Sequence, residues 1–331
     1  MIRQIAHLVS GNMTLPNAET LISWGDILYE LTFDAEGIPY IYSLEYGDLG
    51  IVQEILIEGD SERLNRKGEK LYYNKLGEEL DFKIDNNVVA VTKGDSIQQP
   101  FFDKVTGWGQ NISHYEFGGQ MNNENISEGL LSGSIPFREN GNVSIIYEDG
   151  TKHNSNFDKI ILEDMYAIGY EIESIKPNTI ANRAFLTIKE KDSKSVIWQY
   201  DLSQGMFRAL SLIIQLNYSL LSNKPSLILI DDIGEGLDYE RSKKLIDLII
   251  KKVEGTQVQL IMTTNDRFVM NKVPLKYWQV IKREGNKSVF YNYENSKQTF
   301  DDFALTGLSN FDFFATEFFV KGFDEYVKVN P

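Results

Sequence analysis

Two adjacent carboxylates close an uninterrupted apolar run: Leu227-Ile228-Leu229-Ile230 is followed directly by Asp231 and Asp232. A strand of that composition is expected to be buried on both faces of a parallel sheet. Its carboxyl end is where α/β sheets place their ligands. A carboxylate at Asp231 can hold the water shell of a Mg²⁺ ion lying against triphosphate oxygens, and Asp232 can polarise an attacking water. The plainer alternative is a strand ending in a turn with helix-capping Asp residues, and the run alone leaves both open.

A second element precedes it. Leu202-Ser203-Gln204-Gly205-Met206 opens a long apolar stretch, Met206–Leu221, that reads as a helix. Ser203 stands at a good N-cap position. A helix start with a serine hydroxyl and a glycine offers several amides and a partial positive charge to an anion. Arg208, one turn in, has the reach to meet phosphate or a partner's edge, or it is an ordinary surface arginine. A third element follows: Leu260-Ile261-Met262-Thr263-Thr264-Asn265-Asp266, a second apolar strand ending in hydroxyls and an amide. Asn265 can donate a hydrogen bond but cannot titrate. No Gly-x-x-x-x-Gly-Lys-Ser/Thr loop occurs in the 331 residues.

Between the second and third elements, Asp232-Ile233-Gly234-Glu235-Gly236-Leu237-Asp238 places a carboxylate, a short glycine-containing loop and Leu-Asp in order. Here the chain resembles the ATP-binding-cassette ATPases, and within them the soluble AAA-type branch related to chromosome-maintenance and recombination-repair enzymes. The resemblance is specific over about residues 201–270, loose over 1–92, and says little about 93–195. It implies an α/β fold, a cassette-type P-loop NTPase head with an N-terminal antiparallel β lobe and a C-terminal lobe on a parallel sheet. It implies ATP and Mg²⁺ as cofactors and a homodimer or heterodimer closed through the ATP site. Ser203, Gln204 and Gly205 would form the signature that grips the γ-phosphate held by the other protomer, with Arg208 close by. Asp231 would be the metal carboxylate, Asp232 and Asn265 the catalytic pair, and Asp238 the D-loop residue crossing the dimer interface. Three positions depart from the family: Gln204 replaces a second glycine, Asp232 replaces Glu, and Asn265 replaces His. The last two point to slow hydrolysis, an expectation that fast steady-state turnover would overturn.

In that family a phosphate-binding loop immediately precedes the first helix, and residues 1–10 read as the end of such a helix, with Ile2, Ile5, Ala6 and Val9 on one face. Two expectations follow: either an N-terminal segment of the functional protein is missing, the favoured one, or the chain is a degenerate partner donating Ser203, Gly205 and Asp238 to a site whose loop lies elsewhere. Either way the isolated chain is expected to bind ATP weakly. The leading function is ATP-driven dimer closure in a DNA-linked or nuclease-linked repair or defence assembly. The alternative is a non-catalytic subunit on the same fold. A third reading makes Asp231, Asp232 and Glu235 a metal cluster of a hydrolase or nuclease.

Composition bounds these readings. There is no Cys, which excludes thiolate chemistry, and only His7, His114 and His153, far apart in sequence. The net charge of −15 argues against a broad phosphate-binding surface but leaves a local basic groove open. No apolar run has the length of a membrane span and no signal core opens the chain, so a cytoplasmic protein is expected. The pattern divides into 1–92, a β lobe; 93–195, a loop-rich insertion; and 196–331, an α/β lobe. Strands are expected at Ile27–Phe33, Tyr40–Leu44, Val52–Ile57, Ala184–Lys189, Ser195–Tyr200 and Val258–Met262. Helices are expected over Phe157–Ile175, Tyr239–Val253 and Phe311–Phe323, and a hairpin around Glu284-Gly285-Asn286.

Overall fold

The structure, a computed structural model, describes residues 2–15, 26–47, 49–67, 69–73, 75–117, 127–128, 143–180, 183–222 and 225–329. The glycine-rich run 118–123 and Gly68, read from the sequence as loop and turn, lie outside them.

The first lobe is a meander. Six strands, β1 (Ile27–Ala35), β2 (Ile38–Gly47), β3 (Gly50–Glu58), β4 (Ser61–Asn65), β5 (Lys70–Tyr73) and β6 (Glu78–Asp81), pair antiparallel in chain order. Alternation builds it: Tyr40, Tyr42, Leu44 and Tyr46 of β2 point inward and are buried. The β1–β2 turn is Glu36-Gly37, both at positive φ, the conformation whose twist matches a tight hairpin. Helix α1 (Ile2–Val9) and helix α2 (Pro100–Gln110) close this core with Leu8, Val9, Phe101, Phe102 and Val105. The buried face of α1 is Ile5, Ala6, Leu8 and Val9; Ile2, expected on it, is exposed.

A buried ion pair ties the lobe together. Glu54 of β3 is fully buried and accepts hydrogen bonds from Tyr42 Oη (3.0 Å), the Ala90 and Val91 amides (2.8 and 3.2 Å) and Arg66 Nη1 (3.2 Å). Arg66 also donates to the carbonyls of Asp85 (2.6 Å) and Val88 (2.7 Å), so the chain leaving β6 is laced onto the sheet. Burial pushes the Glu54 carboxyl above the usual carboxylate range, against the pull of these donors.

The middle of the chain, residues 112–272, shares a second core. Strands β7 (Ile112–Glu116) and β8 (Ser127–Glu128) precede helices α3 (Val143–His153) and α4 (Phe157–Ala167), then strands β9 (Ile172–Ile180), β10 (Arg183–Glu190) and β11 (Ile197–Trp198). The helical spacing expected to Ile175 ends at Ala167; Gly169, at φ +97, turns the chain into β9. Next come α5 (Gln204–Ser222), β12 (Ser226–Asp231), α6 (Tyr239–Val253), β13 (Val258–Met262) and α7 (Arg267–Lys272). Strands β7, β12 and β13 form a parallel sheet with β12 central. β12 is buried from Ser226 to Ile230, as its all-apolar run predicts. β7 was not legible: Ser113 and His114 interrupt its apolar run, although Ile112, Ser113 and Tyr115 are all buried. The segment read as an insertion therefore supplies a strand to the parallel sheet and, through α3, α4, β9 and β10, part of its core.

The chain closes with hairpin β14 (Gln279–Glu284) and β15 (Lys287–Asn292) and helices α8 (Lys297–Ala304), α9 (Asn310–Ala315) and α10 (Phe318–Val329). The single helix expected over Phe311–Phe323 is broken twice, at Glu317 (φ 55) and Gly322 (φ 56). The break lets Phe313, Phe318 and Phe319 converge on Phe300, Phe303 and Val280 in a third, aromatic core. The fold is thus the mixed α/β architecture expected, an antiparallel lobe beside a parallel sheet. Among the described residues, no helix is long and apolar enough to cross a membrane.

Candidate functional site

The carboxyl ends of β12 and β13 are stitched to each other. Thr263 donates its amide to Ile230 O (2.8 Å) and its carbonyl accepts from Ile233 N (3.0 Å). Its hydroxyl donates to Asp231 Oδ1 and accepts from the Asp232 amide (3.0 Å). On the other side, Phe117 N donates to Asp231 O (2.8 Å). Asp231 is exposed at the strand end, and Asp232 is half-buried with φ 52, a left-handed conformation that Asp tolerates better than most residues. The sequence pointed to both carboxylates; the bridging role of Thr263 was hidden in an ordinary Thr-Thr pair. Thr263→Val should remove the acceptor of the Asp232 amide at an exposed position and lower unfolding stability by about 0.5–1.5 kcal/mol, whereas Thr263→Ser should be near neutral. Urea titration of both variants checks this.

The start of α5 packs onto the loop that follows β12. Ser203 caps the helix, its Oγ accepting from Met206 N (3.3 Å), as the sequence predicts. Gly205 lies against the backbone of that loop: a Cβ there would fall far inside contact with the Gly236 carbonyl oxygen and 3.1 Å from Leu237 Cδ2. Arg208, expected at the surface, is buried at 4% exposure, and its Nη1 donates to Glu235 O (3.0 Å). A Cβ on Gly236 (φ +78) would meet that Nη1 at 2.8 Å. Gly205 and Arg208 thus clasp the 235–237 loop within one chain. Ser203 and Gln204 remain exposed at the helix start.

At the far end of the loop, Asp238 caps α6, accepting from Arg241 N (3.0 Å) and pairing with the Arg241 guanidinium. The Arg241 amide, and then its guanidinium, hold the Asp238 carboxyl below the usual range. Arg241 in turn lies over the Tyr170 ring (4.5 Å). Asn265 is exposed just ahead of α7, and the adjacent Asp266 takes the capping role, accepting from Phe268 N (2.7 Å) and Val269 N (3.0 Å). The structure therefore brings Asp231, Asp232 and the segment that carries Asn265 to one sheet end, and sets Gly205 and Arg208 against the 235–237 loop that leaves it.

The metal-cluster reading does not survive. Among the described residues, no three His, Asp or Glu side chains are arranged to hold a metal. A single Mg²⁺ carried by a nucleotide fits better: Asp231 is exposed and Thr263 engages one of its oxygens. Asp231, Glu235 and Asp238 are all exposed, so polyphosphate can approach this end only with cations supplied. Among the described residues β13 is one of the two edge strands of the sheet, with Ile261 40% exposed; Tyr239 of α6 and Phe268 of α7 pack with tilted rings while each stays nearly half exposed (47% and 46%).

None of the curated proteins compared with the chain matches it. Among solved structures, an Smc head bound to the C-terminal winged-helix domain of ScpA is similar at 14% identity, covering 89% of this chain and 87% of its own, with a TM-score of 0.50. The head of the Thermotoga maritima SMC protein is 14% identical over 80% of this chain and 73% of its own (TM-score 0.41). A Pyrococcus furiosus Smc head with an extended coiled coil, bound to the C-terminal domain of ScpA, is 12% identical over 92% and 89% (TM-score 0.44). The first of these shows the P-loop NTPase fold of SMC ATPase heads. The family described as "AAA domain, putative AbiEii toxin, Type IV TA system" matches residues 25–271, three quarters of the chain, and the chain belongs to that AAA family of ATPase domains.

Proposed function

We propose that this chain is an ATPase head that binds ATP with Mg²⁺ and hydrolyses it slowly, so that two heads close on nucleotide and reopen after hydrolysis. One observation carries the reading: Gly205 and Arg208 clasp the loop that runs from Asp232 to Asp238. The helix start offered to a partner's phosphate and the carboxylates facing the chain's own nucleotide then move as one unit. A contact made at Ser203 is transmitted through Gly236 to Asp232. In this reading Asp231 holds the water shell of Mg²⁺ and Asp232 polarises the attacking water. Asn265 orients the γ-phosphate, and Asp238 reaches the partner. Hydrolysis is slow because the Asp232 arm is one methylene shorter than a glutamate and Asn265 cannot titrate. The switch would serve a DNA-linked or nuclease-linked assembly.

A second reading has a specific observation in its favour. The sheet end is acidic and, among the described residues, β13 pairs on one side only, with β12, so the phosphate loop and its lysine would come from a strand added beside β13, whichever polypeptide carries it. In that case the chain is a partner that donates only Ser203, Gly205 and Asp238.

ATP turnover and light scattering discriminate the two. They should be measured on the chain with any residues encoded ahead of Met1 included, with and without EDTA. The leading reading expects slow Mg²⁺-dependent turnover and ATP-dependent dimers. It also expects Asp232→Asn to cut turnover by about 10²-fold or more while trapping the dimer. Turnover unaffected by Asp232→Asn sinks it. No turnover in any form, with dimers formed only on adding a phosphate-loop chain, leaves the second reading standing.

A further inference from the structure

The segments that leave β12 and β13 are joined through two threonine hydroxyls. An amide can only donate, and a hydroxyl has one proton, so a threonine that accepts from an amide must pass its own proton onward. Two such relays run in parallel here. The Asp232 amide donates to Thr263 Oγ1 (3.0 Å), and that hydroxyl donates to Asp231 Oδ1. The Asp266 amide donates to Thr264 Oγ1 (3.0 Å), and that hydroxyl donates to Ile233 O (3.3 Å). They differ in where they end. The Thr264 relay closes on a backbone carbonyl and ties loop to loop. The Thr263 relay closes on an exposed carboxylate at the end of the sheet.

Three features set the Thr263 relay apart from a plain contact between strands. Its direction is fixed, so the hydroxyl proton points at Asp231 Oδ1 and keeps that oxygen an acceptor. Among the described residues the Asp231 carboxylate has no other hydrogen-bond partner, so Thr263 alone limits its rotation, and Oδ2 is left for a metal's water shell. The other end of the relay holds the Asp232 backbone at φ 52, a region that residues with a Cβ populate sparsely. One hydroxyl therefore sets the rotamer of the first carboxylate and the backbone of the second. Groups of this kind, which orient a ligand without touching the metal, tune metal affinity.

We propose that Thr263 is the positioning residue of this site. Its hydroxyl holds the Asp231 carboxylate for the water shell of a nucleotide-borne Mg²⁺ and fixes the backbone from which Asp232 projects. The proposal rests on the ATP and Mg²⁺ reading above and adds the residue on which its metal dependence turns.

The test is the affinity of the full chain, with any residues encoded ahead of Met1 included, for the fluorescent ATP analogue mant-ATP. It is measured once with Mg²⁺ and once with EDTA, and the ratio of the two affinities isolates the metal's part. Thr263→Val should lower the affinity in Mg²⁺ about tenfold and leave the affinity in EDTA unchanged. Thr263→Ser, which keeps the hydroxyl, should match the unaltered chain. In an Asp231→Asn background, Thr263→Val should have no further effect on the ratio, because the metal carboxylate it holds is gone. An unchanged ratio in Thr263→Val overturns the proposal and leaves the ATPase reading standing. Equal losses in Mg²⁺ and EDTA overturn it too, since the hydroxyl would then support the fold alone. So does full additivity with Asp231→Asn. No Mg²⁺ dependence in the unaltered chain would instead bring down the metal reading itself, and this proposal with it.

Discussion

Arg66→Ala should lower the unfolding free energy by about 3–5 kcal/mol, because it leaves Glu54 charged and buried with its cation removed. The same change strips two hydrogen bonds from the chain at Asp85 and Val88, so the segment leaving β6 should loosen. The loss should depend on pH, with a definite sign. Burial already raises the Glu54 carboxyl and Arg66 is one of the groups that lowers it, so removing Arg66 raises it further. A carboxyl raised in the folded state contributes its full stability below its unfolded value, and that contribution is lost as pH rises through the folded one. The Arg66→Ala penalty should therefore be larger at about pH 8 than at about pH 5. Adding Glu54→Gln should recover part of the loss at the higher pH, since the amide oxygen, placed at the Oε1 position, can still accept from Tyr42 Oη and the Val91 amide. Guanidinium titrations of the unaltered chain and the two variants at both pH values check this. Equal penalties at the two pH values would show that Glu54 is not the group left stranded.

Gly205→Val should be the most disruptive single change near the candidate site. A side chain there meets the Gly236 carbonyl oxygen, a backbone atom that no rotamer change can move, and also the Leu237 side chain. Either α5 or the 235–237 loop must shift, and overpacking of this kind costs about 1–3 kcal/mol. Arg208 makes the shift harder to absorb, because its buried guanidinium holds Glu235 O from the same side. The expected result is a lower denaturation midpoint together with loss of any ATP-dependent dimer. Ser203→Ala removes only the cap of α5, and should cost about 1 kcal/mol while leaving the loop in place. Comparing the two variants separates the clasp from the cap. If Gly205→Val kept both the midpoint and the dimer, the loop would not be held as described.

Much of the site was written in local patterns. An apolar run followed by Asp231 and Asp232 reads as a buried strand with carboxylates at its end, and the structure places it at the centre of a parallel sheet. Ser203 before a long apolar helix was readable as a cap because capping depends on residues three or four positions apart; Asp238, read only as a D-loop residue, caps α6 in the structure. The meander of the first lobe followed from period-two alternation and the Glu36-Gly37 turn, again local signals.

What the sequence could not state are contacts that depend on which distant segments meet. β7 is a strand because β12 pairs with it, not because Ile112-Ser113-His114 announces one; buried Ser113 and Tyr115 are tolerated there by tertiary packing. Arg208 looked like a surface side chain because nothing within a helical turn reveals that the 235–237 loop will cover it. Thr263 became a bridge to Asp231 and Asp232 only once β13 lay beside β12 in register. The packing of the Phe185, Trp198 and Tyr200 rings likewise needs β11 on the edge of β10. The sequence by itself determined the element types and the chemical groups at their ends, because those follow from spacing along one chain. Only the tertiary structure decided which of these groups are buried, bridged or clasped, because those energies arise between residues far apart in sequence, and no periodicity records them.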